Sequence, residues 1–259
     1  MNSKKANRLD KMKKLLMTQT GISLKEFAVQ LGVSEITIRR DLQLLEAQGI
    51  VRLINGVAIY RTNDNLPLYP EYNLEYEQTI FQKNKERIGK RAASLIEPND
   101  VVAIDSGSTT SYLSKNLPYD IHITVLTSSM NVLMDLNDHH NCDIICAGGY
   151  LYPNTRMFHC PEGISMINRT CINKVFISAA RISEKLNVTC IAPHEMDAKR
   201  ALMDSGQTRI LLADSSKFGK IFPTVFSYIK NFDIIITDKD LSESWISEIK
   251  ELGITLYCE

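Results

Sequence analysis

The chain has 259 residues, of which 44% are hydrophobic and 23% charged, and this composition excludes a disordered or fibrous protein. The length suits one large domain, or one large domain with a small one attached. The formal net charge of zero hides a polarity: residues 1–60 carry ten Lys and Arg against five Asp and Glu, and the remainder is acidic by the same margin, which indicates a polyanionic partner at one end only.

Targeting and metal-binding signals are missing from the sequence. No segment approaches the roughly 18 consecutive apolar residues of a membrane span, and the basic N-terminus lacks the apolar core of a signal peptide. The six cysteines have no paired spacing typical of zinc sites, and we interpret them as small buried side chains in a reducing compartment. We therefore expect a cytoplasmic protein with no membrane contact, no metal and no cofactor.

The first part of the chain has the pattern of three short helices. Apolar residues between positions 9 and 16 recur at near-helical spacing and predict an amphipathic first helix. Ser23 followed by Glu26 is a capping-box signature for a second helix. Gly32 then supplies a turn, and Ser34 is a good N-cap for a third helix.

The third helix has one apolar face, formed by Ile38, Leu42 and Leu45. Two short helices joined by a tight glycine turn are typical of a helix-turn-helix unit, whose second helix enters the major groove of DNA. The side chains predicted to contact DNA from this helix are those of Ser34, Glu35, Thr37, Arg39 and Arg40.

A β-hairpin is predicted directly after the third helix. Two β-prone runs, at 50–54 and 57–60, are separated by Asn55-Gly56, which is the strongest short signal for a hairpin turn. A hairpin at this place is a wing, and we expect Arg52 and Asn55 to contact the DNA backbone.

The segment Ser34-Glu-Ile-Thr-Ile-Arg-Arg-Asp-Leu42, preceded by Leu31-Gly32-Val33, strongly resembles the DeoR family of bacterial regulators. The resemblance implies a winged helix-turn-helix joined to a sensor domain for sugar phosphates or related metabolites. The wing departs from the family pattern, which has His-Gly-Gly-Ala after an arginine. Here Arg52 is followed by Leu-Ile-Asn-Gly-Val-Ala, without a histidine, and this departure concerns the wing's contacts, not the fold.

We assign residues 1–60 to the DNA-binding domain, 61–84 to a polar linker that becomes helical toward its end, and 85–259 to a larger α/β domain. Short apolar runs at 101–104, 121–126, 143–147, 175–178, 209–213 and 233–237 predict buried strands. Helical stretches at 110–117, 130–137, 194–205 and 242–252 intervene. This alternation predicts a mostly parallel sheet covered on both faces.

Ligands of such sheets bind beyond the carboxyl ends of the strands, where this sequence places hydroxyl, glycine and charged residues. A loop with several hydroxyl groups at the start of a helix suits a phosphate group, and Lys217 can neutralise one. The residues predicted to bind the effector are Asp105, Ser106, Gly107, Ser108, Thr109, Thr110, Thr127, Ser128, Gly148, Gly149, Arg181, Asp214 and Lys217. Asp214 and Lys217 also fit a purely structural ion pair.

The segments 105–110, 127–129, 148–149 and 214–219, with Lys85 and Ile88-Gly89 before them, resemble the DeoR-family sensor domain, which is similar in fold to ribose-5-phosphate isomerase. Glu195 and Lys199 resemble a later helix of that domain. The loop 176–182 departs from the pattern, because two family glycines are replaced by Ser178 and Arg181. Either the pocket is reshaped there, or Arg181 supplies a phosphate contact.

Three classes of function follow from these patterns. The leading hypothesis is a repressor of carbohydrate metabolism genes that binds a double-stranded DNA operator as a homo-oligomer, a dimer or tetramer, and is controlled by a phosphorylated metabolite. The alternative is a sugar-phosphate isomerase with an added DNA-binding head, with Asp105, Asp214 or Glu195 as general base. A third class, a protein-interaction module built on the helix-turn-helix, is disfavoured by Arg39, Arg40 and the basic head.

Overall fold

The computed structural model describes residues 3–18, 22–47, 50–54, 57–60 and 72–259. The chain divides into two units, of which the second begins at Tyr72. The structure thus includes residues 72–84 in the larger unit, whereas the sequence analysis begins that domain at Lys85. The boundary differs because Leu74 is buried in the larger unit and Lys85 Nζ donates to the backbone carbonyl of Glu77. None of the helices in the described residues combines the length and apolar character of a membrane span.

In its described residues the N-terminal unit consists of three helices and a three-stranded antiparallel sheet. The elements are α1 (Ser3–Thr18), β1 (Ile22–Ser23), α2 (Leu24–Leu31), α3 (Glu35–Ala47), β2 (Val51–Ile54) and β3 (Val57–Tyr60). The strands lie in the order β1-β3-β2, and β2 and β3 form the arms of the wing. The predicted winged helix-turn-helix is confirmed, while its turn residues Asn55 and Gly56 lie outside the described residues.

Local sequence signals determine where α2 and α3 begin and end. The side chains of Ser23 and Glu26 each accept a hydrogen bond from the other's backbone N–H, which is the predicted capping box. Gly32 ends α2 with a left-handed φ of 64°, which favours glycine. Ser34 Oγ accepts a hydrogen bond from Thr37 N and so caps α3.

Residues 72–220 and 224–259 form the α/β domain. Its helices are α4 (Leu74–Thr79), α5 (Gln82–Ala93), α6 (Thr110–Ser114), α7 (Met130–Leu136), α8 (Pro161–Arg169), α9 (Pro193–Ser205) and α10 (Glu243–Glu251). Its strands are β4 (Val101–Ile104), β5 (Ile123–Thr127), β6 (Cys142–Cys146), β7 (Tyr150–Tyr152), β8 (Met157–His159), β9 (Ile172–Ser178), β10 (Arg181–Ile182), β11 (Asn187–Cys190), β12 (Gly206–Leu212), β13 (Thr224–Tyr228), β14 (Ile234–Thr237) and β15 (Thr255–Cys258).

Seven of these strands form one parallel sheet in the order β15-β14-β12-β9-β4-β5-β6. Apolar side chains cover both of its faces: Val175 and Ile177 of β9 belong to one core and Phe176 to the other. From β4 the chain first extends the sheet on one side and then returns to β9 on the other. The strand order therefore reverses between β4 and β9, where open α/β sheets have a crevice at the carboxyl edge. The predicted mostly parallel sheet is confirmed.

Two features differ from the sequence analysis. The hairpin β7-β8 and the antiparallel sheet β10-β11-β13 are absent from the predicted elements. Of the six cysteines only Cys190 is fully buried, while Cys146 and Cys171 are exposed, so the expectation of buried cysteines is wrong for these two. Cys146 lies on β6, an edge strand with one neighbour, which leaves that side open to solvent.

Candidate functional site

Helix α3 presents a polar face to solvent. Ile38, Leu42 and Leu45 are fully buried in the core of the N-terminal unit, and this packing directs the opposite side of the helix outward. Four of the predicted DNA-contacting residues of this segment are exposed, namely Ser34, Glu35, Arg39 and Arg40. The fifth, Thr37, is half-buried. Ile36 and Gln43, to which sequence reasoning assigned no contact, are exposed on the same side.

A buried ion pair holds α3 in place. Arg8 Nε of α1 donates to Asp41 Oδ2 at 2.6 Å, and the Asp41 side chain is 2% exposed. Asp41 directly follows Arg39 and Arg40 in the sequence. Its carboxylate positions the helix through Arg8, while the guanidinium groups of Arg39 and Arg40 remain exposed. Sequence reasoning did not assign Asp41 this role.

A side chain of α3 accepts a hydrogen bond from the backbone of the wing. Leu53 N donates to Glu46 Oε1 at 2.9 Å, and Arg52 pairs with Ile59 across the hairpin. The side chain of Arg52, and Asn55 as a whole, lie outside the described residues, so their predicted DNA contacts stay predictions.

In the α/β domain a buried triad, Asp105, Lys199 and Glu195, lies at the switch between β4 and β9. Asp105 Oδ2 accepts hydrogen bonds from Lys199 Nζ and from Ser178 N (3.1 Å) and Oγ (3.2 Å). Lys199 Nζ also donates to the Ser178 carbonyl oxygen at 3.0 Å. The hydroxyl of Ser178, which replaces a family glycine, thus helps to fix Asp105. Asp105 Oδ1 is buried and accepts no hydrogen bond from any described residue.

Burial dominates the electrostatics of the triad. It raises the pKa of Glu195 to about 7, with Lys199 acting in the opposite direction and Asp105 adding to the increase. Burial also disfavours the charged form of Lys199, but the carboxylates of Asp105 and Glu195 outweigh it and raise the pKa of Lys199. The triad therefore holds one firm ion pair, Lys199–Asp105, and a third member, the carboxyl group of Glu195, that is partly protonated near neutral pH.

A second group of charges, Lys85, Arg181 and Lys217, forms what we call the cationic cluster. Lys217 Nζ donates to Glu77 Oε2 of α4 at 2.9 Å. Burial opposes ionisation of Glu77, yet Lys217 first, and then Arg181 and Lys85, bring its pKa below the ordinary value. Burial lowers the pKa of Arg181, while Glu77 and Asp214 act against that shift.

Lys85 of α5 contacts the C-terminal end of α4 and the carboxylate of Asp214. Its Nζ donates to the carbonyl oxygens of Glu77 (2.5 Å) and Ile80 (2.7 Å) and lies 3.7 Å from Asp214 Oδ2. Burial and then Lys217 lower the pKa of Lys85 to about 8. Asp214 Oδ1 accepts from Ser216, whereas the buried Oδ2 accepts no hydrogen bond from the described chain.

Tyr72 lies within electrostatic range of both groups. Burial raises the pKa of its phenol well above the ordinary value, and the carboxylates of Glu195, Glu77 and Asp105 raise it further. The triad and the cationic cluster therefore face one polar region at the carboxyl edge of the sheet.

The hydroxyl-rich loops 105–110 and 127–129 support this region mainly through hydrogen bonds from their side chains to backbone carbonyl groups. The side chains of Ser106, Thr110 and Thr127 all donate to backbone carbonyl groups. Ser108, Thr109 and Ser128 are buried beside them. Gly107 provides room, because a Cβ at this position would lie 2.0 Å from Ser178 Oγ.

The glycine pair Gly148-Gly149 supports the β7-β8 hairpin. Gly149 has a left-handed φ of 128°, and a Cβ there would lie 2.6 Å from the carbonyl group of His159. Of the predicted effector residues, the structure brings Asp105 into the triad and brings Arg181, Asp214 and Lys217 together around the cationic cluster. Sequence reasoning did not select Tyr72, Glu77 or Lys85 for this site.

The fold and the two sites define the class of the protein as a helix-turn-helix transcription regulator with an attached α/β sensor domain. The DeoR-like helix-turn-helix domain model matches residues 8–63, and the model of the DeoR C terminal sensor domain matches residues 80–239. The chain belongs to the DeoR family.

Two bacterial regulators agree with this assignment. The deoxyribose operon repressor of Escherichia coli K12 is 29% identical over 92% of each chain. An uncharacterized HTH-type transcriptional regulator of the same strain is 32% identical over 86% of each chain. Ribose 5-phosphate isomerase A of Methanocaldococcus jannaschii has 12% identity and a TM-score of 0.40 over 53% of this chain and 54% of that one. The family is one of DNA-binding regulators, so the chain is a transcription regulator and not an isomerase.

Proposed function

We propose that the chain represses carbohydrate metabolism genes and releases its operator when a phosphorylated sugar or related metabolite binds the sensor domain. The observation that supports effector binding is a pair of buried carboxylates, Asp105 and Asp214. Each has one oxygen that accepts no hydrogen bond from any described residue. These oxygens lie at the same edge as the cationic cluster. Sugar hydroxyls would donate to the carboxylates, and the cluster would neutralise a phosphate.

The deoxyribose operon repressor among the relatives supports the carbohydrate part of this proposal. Asp105, Asp214, Arg181 and Lys217 contact the effector directly, together with the backbone of Ser106, Gly107, Ser108 and Thr109. The remaining predicted residues, Thr110, Thr127, Ser128, Gly148 and Gly149, hold the loops that carry these contacts.

On the DNA side, the exposed face of α3 lies in the major groove. Arg39 and Arg40 read guanine edges or hold phosphates, Ser34 and Thr37 donate to phosphates, and Glu35 accepts from cytosine. The wing residues Arg52 and Asn55 contact a neighbouring phosphate of the DNA backbone. A single head makes few base contacts, so the protein acts in the cytoplasm as a homo-oligomer, a dimer or tetramer, on paired half-sites.

A thermal-shift screen of the full chain against phosphorylated sugars and their unphosphorylated counterparts tests the effector. We expect at least one phosphorylated compound to raise Tm, its unphosphorylated counterpart to have no effect, and the hit to release DNA in a gel shift at stated salt. Lys217→Ala should lose this response, and Lys230→Ala, which removes an exposed lysine of the same domain, should keep it. A full response in Lys217→Ala, or no response to any phosphorylated compound, contradicts the proposal.

A further inference from the structure

Helix α4 carries a carboxylate into the cationic cluster. Glu77 and Lys217 are joined at 2.9 Å, and their side chains are 19% and 7% exposed. Lys217, Arg181 and Lys85 all favour the ionised form of Glu77 against burial. The positive charges that would neutralise an effector's phosphate are thus already neutralised in part by an anion of the chain itself.

The other contacts of α4 are also mostly polar. Backbone carbonyl groups at its C-terminal end accept from Lys85 Nζ and from Tyr112 Oη. At its N-terminal end Leu74 N donates to the Asn154 carbonyl oxygen at 3.1 Å, and Glu75 pairs with Arg156.

Leu74 is the one residue of this six-residue helix that is fully buried. A helix of this length is far below the roughly 12 residues at which isolated helices become marginally stable. With so little apolar burial, the position of α4 depends on its charge contacts, and elements of this kind are the first to open.

We propose that the effector's phosphate binds Lys217 and Arg181 in place of the Glu77 carboxylate, so that effector binding and docking of α4 exclude each other. The inference rests on the proposed function, since it takes the ligand to be an anion. A phosphate monoester carries a charge of about −1.5 to −2 and several acceptor oxygens, whereas Glu77 offers one charge and two oxygens. The phosphate therefore gains more from the cluster than the carboxylate does.

The place of α4 in the chain makes this exchange a signal. Residues 61–71 lead from the DNA-binding domain directly to Tyr72 and α4. Displacement of α4 changes the anchor of that connection, and the effector thereby acts on the segment that leads to the DNA-binding head.

The test uses the full chain and inorganic phosphate as the probe, measured by titration calorimetry. Glu77→Gln keeps the size of the side chain and removes its charge, so we expect phosphate to bind about tenfold more tightly than to the unmodified protein. Glu75→Gln removes a charge contact of α4 with Arg156 but none with the cluster, so it should raise the affinity clearly less than Glu77→Gln does. Equal affinity in Glu77→Gln and the unmodified protein overturns the role of Glu77.

Hydrogen exchange gives a second readout that needs no variant and remains decisive if Glu77→Gln does not fold. Saturating phosphate should speed amide exchange in α4 of the unmodified protein, and unchanged protection of α4 overturns the displacement. If neither protein binds phosphate and no phosphorylated sugar binds either of them, the effector site itself fails. That outcome is distinct from equal binding by both proteins.

Discussion

Lys199 and Asp105 form a buried ion pair that joins α9 to the carboxyl end of β4. The two side chains are 2% and 1% exposed. The pair connects the two strands at the switch point of the sheet, because Lys199 also donates to the last carbonyl group of β9. Whatever binds at this edge meets a carboxylate whose orientation is already fixed.

Removal of Lys199 should destabilise the sensor domain strongly. Lys199→Met leaves Asp105 as an uncompensated buried charge, so we expect the free energy of unfolding to fall by about 3–5 kcal/mol. Chemical denaturation measures this, and Lys14→Met, which ends an exposed pair with Asp10, should cost less than about 0.5 kcal/mol. Equal effects of the two substitutions would argue against a buried, structural ion pair.

Gly107 and Ser178 should behave as one packing unit. A Cβ on residue 107 would lie 2.0 Å from Ser178 Oγ and 2.7 Å from its Cβ, so Gly107→Ala should destabilise the domain by about 1–3 kcal/mol. In the Ser178→Gly background the clash is absent, and we expect the same alanine to cost clearly less. Denaturation of the four proteins of this cycle measures the coupling, and strictly additive effects would refute it.

Glu195 should give stability a pH dependence of definite sign. Its pKa in the folded protein is about 7, above the value of about 4.3 in an unfolded chain. The stabilisation from its protonation is therefore complete below about pH 4 and is lost as the pH rises through about 7. Glu195→Gln stays neutral, so between about pH 5 and pH 8 it should gain about 2–3 kcal/mol relative to the unmodified protein.

Denaturation of both proteins at the two pH values measures this gain. The comparison cancels the contribution of His194, whose pKa burial lowers to about 4 and which is present in both proteins. A stability difference that does not change with pH would show that Glu195 ionises as an ordinary exposed carboxyl group does.

Arg39 and Arg40 should carry specific DNA binding. Each Arg→Ala change removes a guanidinium from the exposed face of α3, so we expect a loss of about 1–3 kcal/mol for each base contact. Fluorescence anisotropy at fixed salt, with a duplex selected from random sequences by the protein, measures the affinity. Arg200→Ala removes an exposed arginine from the sensor domain and serves as the control; an affinity loss equal to that of the control would remove α3 as the reading helix.

The elements predicted best are those that depend on local signals. Ser23 with Glu26, and then Gly32, mark α2 within one residue, because caps and left-handed turns require particular residue types. The run 101–104 coincides with β4, since a strand buried on both faces is continuously apolar.

Helix α4 and its place in the site could not be predicted in this way. Its residues have no apolar periodicity, and the contact that defines it joins Glu77 to Lys217, 140 residues away. One signal was available: Lys85 and Lys199 lie on the apolar faces of α5 and α9, where a lysine is buried only with a partner. The partners themselves depend on the order of the strands, which propensity does not determine.

The reversal of strand order between β4 and β9 also has a consequence for synthesis. Asp105 and Ser178 touch in space but are 73 residues apart in the chain, and Lys199 and Lys217 follow later still. A ribosome therefore completes α3 of the helix-turn-helix long before it supplies Lys199 and Lys217 of the α/β domain. A chain truncated between these points would contain the whole helix-turn-helix but lack part of the buried polar region of the α/β domain.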